Sequence, residues 1–295
     1  MVIERKYIVF YEHCIAISSM VEKQAGYYSD NNITDADQLF IEIGNRHVVC
    51  LVKNASSGEI EGFEIFAAGE GEPDWNDVFH VLRADSKLLN RSYRDVHTFF
   101  NSAEALIIPG NRFSTITAED YLDLVYGESD SYDLKYDVIT SDNMVNAFRV
   151  RKSLHELIGR EHVLYQPHHV YTSIIKDVLT RKRLAEHFVK IQFYEGHFIT
   201  VVIKDRCLQM IQSFEFETNE DVIYRLLSIT EQFGIDVSHS ELEISGRFEN
   251  GSGLHERIQS YFGLISFDSV DANGVFTASN GYPLHFFTPF YKLAV

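Results

Sequence analysis

The sequence predicts an α/β protein built from two similar halves, and two observations carry that expectation. The first is an antiparallel three-stranded meander at Leu39–Phe66, reading LFIEIGNRHVVCLVKNASSGEIEGFEIF. The second is its recurrence at Ile191–Phe216, reading IQFYEGHFITVVIKDRCLQMIQSFEF. One register sets Ile41 against Ile191, Glu42 against Gln192, Ile43 against Phe193, Gly44 against Tyr194 and His47 against His197. A long-range internal repeat constrains architecture more strongly than local propensity does.

Each element follows from its pattern. In the first meander, Phe40–Glu42–Gly44 alternate as a half-buried strand does. Gly44, Asn45 and Arg46 break the alternation as a tight turn, and Val48, Val49, Leu51 and Val52 resume it. Asn54–Gly58 supply a second turn, and Ile60, Phe63, Ile65 and Phe66 a third strand. Asp74–Leu89 reads as a helix capped by Asp74, with Trp75, Val78, Phe79 and Leu82 at helical spacing. Strands at Tyr93–Phe100 and Ala105–Ile108 follow, then a helix from Thr117 through Val125. Gly127–Asp137 reads as a solvated acidic loop, because it lacks the ligand spacing of a calcium loop. Next come a strand at Val145–Val150, a short helix at Arg151–Gly159 and a strand at Val163–Gln166. A long helix, His168–His187, is expected to join the halves, with Arg181–Lys182–Arg183 at its C-terminal end. After the second meander come a helix at Asn219–Phe233 with Asn219 as cap, a strand at Leu242–Ser245, a helix at Gly253–Phe262 and a strand at Leu264–Phe267. The tail from Gly274, with Phe276, a turn at Asn280–Gly281, Phe286, Phe287, Phe290 and Tyr291, is too apolar to be free and is expected on the core. The expected division is an N-terminal extension at 1–37, a first subdomain at 38–167 and a second with the tail at 168–295.

Composition narrows the function classes. The chain has 295 residues, 26 Lys plus Arg against 43 Asp plus Glu, and a net charge of -17. Such a field repels phosphate backbones, so nucleic acid is not an expected partner. No stretch approaches membrane-spanning length, so membrane insertion is not expected. Arg5 and Lys6 precede an apolar run that faintly resembles a signal peptide, but Glu12 and His13 interrupt it, and the expected location is the cytoplasm. Cys14, Cys50 and Cys207 show no metal spacing, and Cys50 and Cys207 read as small core residues. Among the 13 histidines, His155, His162, His168 and His169 make no zinc motif. There is no nucleophile elbow and no Walker lysine loop.

The two meanders with their following helices resemble the actin-like ATPase superfamily, in a layout like that of the PilM-type assembly proteins. That resemblance implies two ribonuclease-H-like halves, with nucleotide and metal held between them by a phosphate loop from each meander. Glu42–Ile43–Gly44 looks like the first loop, and Gln192–Phe193–Tyr194 falls where the second belongs. Glu243–Ile244–Ser245–Gly246–Arg247 with Gly253–Leu254 looks like the adenosine motif. Most of the chain after residue 37 also resembles an uncharacterised bacterial family of this layout, in which a strand ending in a Leu–Val–Pro-like turn precedes a helix. Here that is Ala105–Pro109 followed by Ala118–Val125.

Against the superfamily pattern, Glu42 keeps a carboxylate and Gly44 the glycine, while Arg46 stands among the small hydroxyl positions. Gln192 replaces the second carboxylate, Tyr194 the second glycine, and Arg247 the glycine after Gly246. Hydrolysis needs a carboxylate in each loop and small residues that let backbone N–H groups reach phosphate. The expectation is therefore a degenerate nucleotide cleft with no catalytic residue, cofactor or metal. The expected role is a scaffold that binds another protein, with self-association left open. The runner-up is an active ATPase that assembles a cell-envelope machine, with Glu42 on the metal and Arg46 on phosphate. At physiological salt the charge balance predicts no shift of duplex DNA in a gel by micromolar protein; a discrete shifted band would contradict it.

Overall fold

The computed structural model describes residues 21–29, 33–69, 74–270 and 282–295. They form two compact units, and the chain passes from the first to the second between Thr172 and Ser173.

In the first unit the strands are β1 (Val21–Tyr28), β2 (Gln38–Gly44), β3 (His47–Lys53), β4 (Ile60–Ala68), β5 (Asp95–Asn101), β6 (Ala105–Pro109), β7 (Tyr132–Ile139), β8 (Met144–Arg151) and β9 (Tyr165–His169). Its helices are α1 (Trp75–Asp85), α2 (Thr115–Tyr126) and α3 (Lys152–Glu161). The main sheet runs β1-β4-β3-β2-β5-β9, and a small sheet runs β6-β8-β7. β2 pairs antiparallel with β3 and parallel with β5, and β5 parallel with β9. α4 (Val170–Leu179) straddles the boundary. The second unit continues with β10 (His187–Phe193), β11 (His197–Lys204), β12 (Cys207–Glu215), α5 (Asn219–Gln232), β13 (Glu241–Gly246), α6 (Gly253–Gln259), β14 (Leu264–Phe267) and α7 (Leu284–Tyr291). Its sheet runs β12-β11-β10-β13-β14. Setting aside the edge strand β1, both sheets share one order, 3-2-1-4-5. An antiparallel meander is followed by two strands parallel to its first, which is the ribonuclease-H-like topology.

The repeat register holds at the level of hydrogen-bond ladders. Ile43 pairs with Val48 and Glu42 with Val49; in the second sheet Phe193 pairs with Phe198 and Gln192 with Ile199. Each half then buries its sheet under helices. On β10, Val189, Ile191 and Phe193 meet Val222, Ile223, Leu226 and Ile229 of α5 and Leu254 and Ile258 of α6. Burying each such side chain contributes about 1.5–3 kcal/mol. α7 supplies the expected packed tail, with Phe286, Phe287 and Phe290 buried; Gly274, Phe276 and the turn Asn280–Gly281 lie outside the described residues.

Several expectations change on folding. β2 is buried on both faces, not one: every residue from Leu39 to Gly44 is buried, Glu42 among them. The expected N-terminal extension contributes β1, whose Val21, Ala25 and Tyr27 are buried against β4. The acidic loop is shorter than expected: β7 begins at Tyr132, and Asp137 is buried within it. His168 and His169 end β9, and α4 stops at Leu179. There Thr180 Oγ1 donates back to the Lys176 carbonyl and Arg181 turns toward carboxylates. Thr218, not Asn219, caps α5, in a capping box with Asp221. Cys50 is buried but Cys207 is exposed beside the β11–β12 turn, where Asp205 and Arg206 take positive φ; Cys14 lies outside the described residues.

One glycine is dictated by the ladder. Gly246 has φ +81°, and a Cβ there would lie 2.1 Å from the Phe193 carbonyl oxygen. Gly246→Ala should lose at least about 2 kcal/mol of stability, since the left-handed strain and the clash with rigid backbone add. Chemical denaturation checks this; an unchanged midpoint would refute the close approach.

Candidate functional site

The two phosphate-loop candidates are the β2–β3 and β10–β11 turns. In the first unit, Glu42 is fully buried on β2. His47 Nε2 lies 2.9 Å from Glu42 Oε1, and Asn101 Nδ2 donates to the same oxygen at 2.8 Å. Oε2 has no hydrogen-bond partner among the described residues. Gly44 makes room for a side chain of this protein: a Cβ there would lie 2.3 Å from His47 Cε1. The space above the glycine is thus occupied by the imidazole. Arg46 is exposed in the turn.

The second unit solves the same positions with other groups. Gln192 is buried and its Nε2 donates to the Tyr194 hydroxyl. The Tyr194 ring is buried and stacks on His197, with centroids 4.8 Å apart and planes 4° apart. Phe290 of α7 meets the same ring edge-on at 6.3 Å. The adenosine-motif candidate ends β13. Gly246 backs onto Phe193, and the Arg247 N–H donates to the Phe193 carbonyl at 2.9 Å. The Arg247 side chain is half exposed and pairs with Glu195 of the β10–β11 turn at 2.8 Å. The structure therefore brings Glu42, Gly44 and His47 together in one half, and Gln192, Tyr194 and His197 in the other. Asn101, His47 and His197 join the residues named from sequence; the repeat register had placed the two histidines but assigned them no contact.

A second arrangement escaped the sequence. Lys190, one step before the Gln192 position on the same face of β10, is buried. Its Nζ donates to Glu243 of β13 at 2.8 Å and to Asp268 after β14, and Asp177 of α4 lies 3.4 Å away. Arg181 reaches Glu243 at 2.7 Å and Asp177 at 2.7 Å, and Lys292 after α7 reaches Asp268 at 2.6 Å and Asp177 at 2.9 Å. Three cations thus meet three carboxylates from α4, β10, β13, β14 and α7. Burial alone would raise the Asp177 pKa, but Lys190, Lys292 and Arg181 outweigh it and hold it down to about 2. Burial alone would lower that of Lys190, but Glu243, Asp268 and Asp177 hold it above its usual value. The available signal was a lysine set among Phe188, Val189, Ile191 and Phe193 in a strand, which demands a carboxylate partner.

The first unit has its own buried polar set. Asp137 accepts from His168 Nδ1 (3.0 Å), the His169 backbone N–H (2.9 Å) and the Thr172 hydroxyl (2.7 Å). Burial would raise its pKa, and these donors together lower it. His169 is pushed down to about 4, chiefly by burial. Among the described residues no group of three or more His, Cys, Asp or Glu is arranged to hold a metal ion. Among them too, no helix is long and apolar enough to cross a membrane.

This topology and its paired turns define a protein of the actin-like ATPase fold. The chain belongs to the family of proteins of unknown function termed DUF3822, whose profile matches residues 29–265. It is similar to a Bacteroides thetaiotaomicron protein with an actin-like ATPase fold and unknown function. The TM-score is 0.72 at 17% identity, covering 79% of this chain and 91% of that one. It is also similar to a chain of the PilM–PilN type IV pilus biogenesis complex, with a TM-score of 0.58 at 10% identity, covering 88% of this chain and 97% of that one. At these identities the likeness is one of fold. No curated protein matches the chain.

The ion cluster yields a stability prediction. Lys190→Ala strands buried carboxylates and should cost about 3–5 kcal/mol. Because Asp177 is depressed from 3.8 to about 2, its contribution is full above pH about 4 and is lost as pH falls through about 2. Lys190 is raised, so its contribution is full at neutral pH and is lost only as pH rises past the ordinary lysine range. Denaturant titrations between pH 2 and 5 should show a shallower acid slope for Asp177→Asn than for the natural chain; equal slopes would refute the assignment.

Proposed function

We propose that the protein is a non-enzymatic actin-fold scaffold that binds another protein and has lost productive nucleotide binding. The observation that carries this reading is the filling of both loop positions from within. His47 occupies the space over Gly44, and Tyr194, clamped by Gln192 and His197, stands where a second glycine would open the backbone to phosphate. The group implied by the superfamily, a metal-bound nucleotide, does not fit these residues. One loop has Gln192 at the carboxylate position, and the glycine of the other is covered by an imidazole. The relative solved as a PilM–PilN complex supports the protein-binding half of the reading, since that chain works in contact with another protein.

One observation favours the runner-up, an active ATPase that helps to assemble a cell-envelope machine. Glu42 Oε2 is buried without a partner among the described residues, a carboxylate oxygen left for something to meet. Arg46 is exposed a few residues away and is free to approach phosphate in that reading.

A ligand at a hundred times its Kd stabilises the folded state by about 2.7 kcal/mol. Millimolar Mg–ATP should therefore leave the melting temperature unchanged; a shift of several degrees would mean a Kd of roughly 10 µM or tighter and would end the scaffold reading. Tyr194→Gly with Arg247→Gly should still show no hydrolysis, because the second carboxylate is absent. ATP turnover by the natural protein that Glu42→Ala abolishes would establish the runner-up instead.

A further inference from the structure

The small sheet β6-β8-β7 carries α2 on one face, and that layer leaves apolar surface uncovered. Ala118 and Leu122 of α2 pack on Ile108 and Ala147, with Leu106, Phe113 and Leu134 at the margin. The next flank of the helix, Tyr121, Leu124 and Val125, is exposed, Leu124 at 82%. On the sheet face that carries Leu134, Tyr136 and Val138 of β7 are exposed as well. Phe113, just before α2, touches Tyr136 with ring centroids 4.9 Å apart and links the two. Isolated exposed hydrophobics are ordinary; a cluster of aromatic and branched side chains on one module marks an interaction surface.

Acidic side chains dominate the charge around this surface, with Arg112 and Lys135 flanking it in sequence and Arg149 reaching it. From Phe113 to Leu134 the chain contains no Lys, Arg or His, and it contains Glu119, Asp120, Asp123, Glu128, Asp130 and Asp133. Asp123 is taken up by Arg149. Glu119 and Asp120 of α2, and Glu128 and Asp130 just beyond it, are exposed.

We infer that this face of α2 and β7 docks a cationic amphipathic segment of another protein, whose apolar side covers Tyr121, Leu124 and Val125 and whose Lys or Arg residues meet the carboxylate rim. The inference rests on the protein-binding half of the proposed function and supplies its surface and the partner's chemistry. Charge selects the occupant. A second copy in a two-fold contact would set the acidic rim against itself, because such an interface places the same patch on both partners. An anionic lipid surface is repelled for the same reason.

The test uses the full chain and three labelled synthetic helical peptides, with binding read by fluorescence anisotropy at physiological salt. One peptide has Leu and Lys at amphipathic spacing, one has Leu and Glu at the same spacing, and one has the first composition scrambled. The expected result is preferential binding of the Leu/Lys amphipath, weakened about ten-fold or more by Leu124→Glu, the loss of one buried apolar anchor. Leu124→Glu separates the causes, since it removes apolar contact while adding negative charge. The double change Glu119→Gln with Asp120→Asn should weaken the same peptide and steepen no salt dependence. Three outcomes would overturn the inference: binding unchanged or tightened by Leu124→Glu, equal binding of the Leu/Glu peptide, or self-association of the natural chain that Leu124→Glu abolishes. Equal melting temperatures of the variants and the natural chain check that each is folded. Mg–ATP titrated into the same samples keeps the two proposals apart. Tight nucleotide binding would count against the scaffold reading alone, and absent peptide binding against the surface alone.

Discussion

A charge in the middle of a strand buried on both faces has to be met where it stands, and this constraint organises both halves. β2 and β10 are the first strands of their meanders and lie inside their sheets. Each carries polar side chains on the face away from its Leu/Ile/Val row: Glu42 on β2, Lys190 and Gln192 on β10. Unpaired, any of these would cost several kcal/mol. Neighbouring elements are therefore drawn in: Asn101 at the end of β5 and His47 at the start of β3 for Glu42; Asp177, Glu243 and Asp268 for Lys190. In the second unit this ties α4, α7 and the ends of β13 and β14 to one lysine.

The same constraint bears on the loop chemistry. A phosphate loop works by keeping its backbone bare and its carboxylate available. In this chain the turn residues are engaged with one another. His47 leans over Gly44 toward Glu42, and Tyr194 lies between Gln192 and His197. Such contacts stabilise a hairpin whether or not a ligand is present. In the small α2 module, exposed apolar side chains and a run of acidic ones coincide.

Much of this was legible in the sequence, and the physical reason is periodicity. Strand alternation, turn residues and the helical spacing of Val78, Phe79 and Leu82 or of Val222, Leu226 and Ile229 are local signals, and they place most elements. The repeat register was legible because both meanders place like residues at matching steps, Ile41 with Ile191, Ile43 with Phe193 and His47 with His197. Local signals failed where a distant group decided the outcome. Gly127–Asp137 looked like a solvated acidic loop, yet from Tyr132 onward it pairs with β8 and buries Asp137 against His168, His169 and Thr172. Cys207 looked like a core residue and is exposed, because its strand begins at a turn on the sheet's edge.

By itself the sequence determined the α/β class, the two meanders and their common register, and the residue types at the candidate site positions, among them Gln192, Tyr194 and Arg247. These depend on residue type and on separations of a few positions, which a linear reading contains. Only the tertiary structure decided what those residues touch. It set His47 over Gly44, Tyr194 between Gln192 and His197, Arg247 on Glu195, and Lys190 among carboxylates from as far along the chain as Asp268. Partners of buried polar groups are chosen by which strands lie side by side, and that choice belongs to the whole sheet and not to any one segment of it.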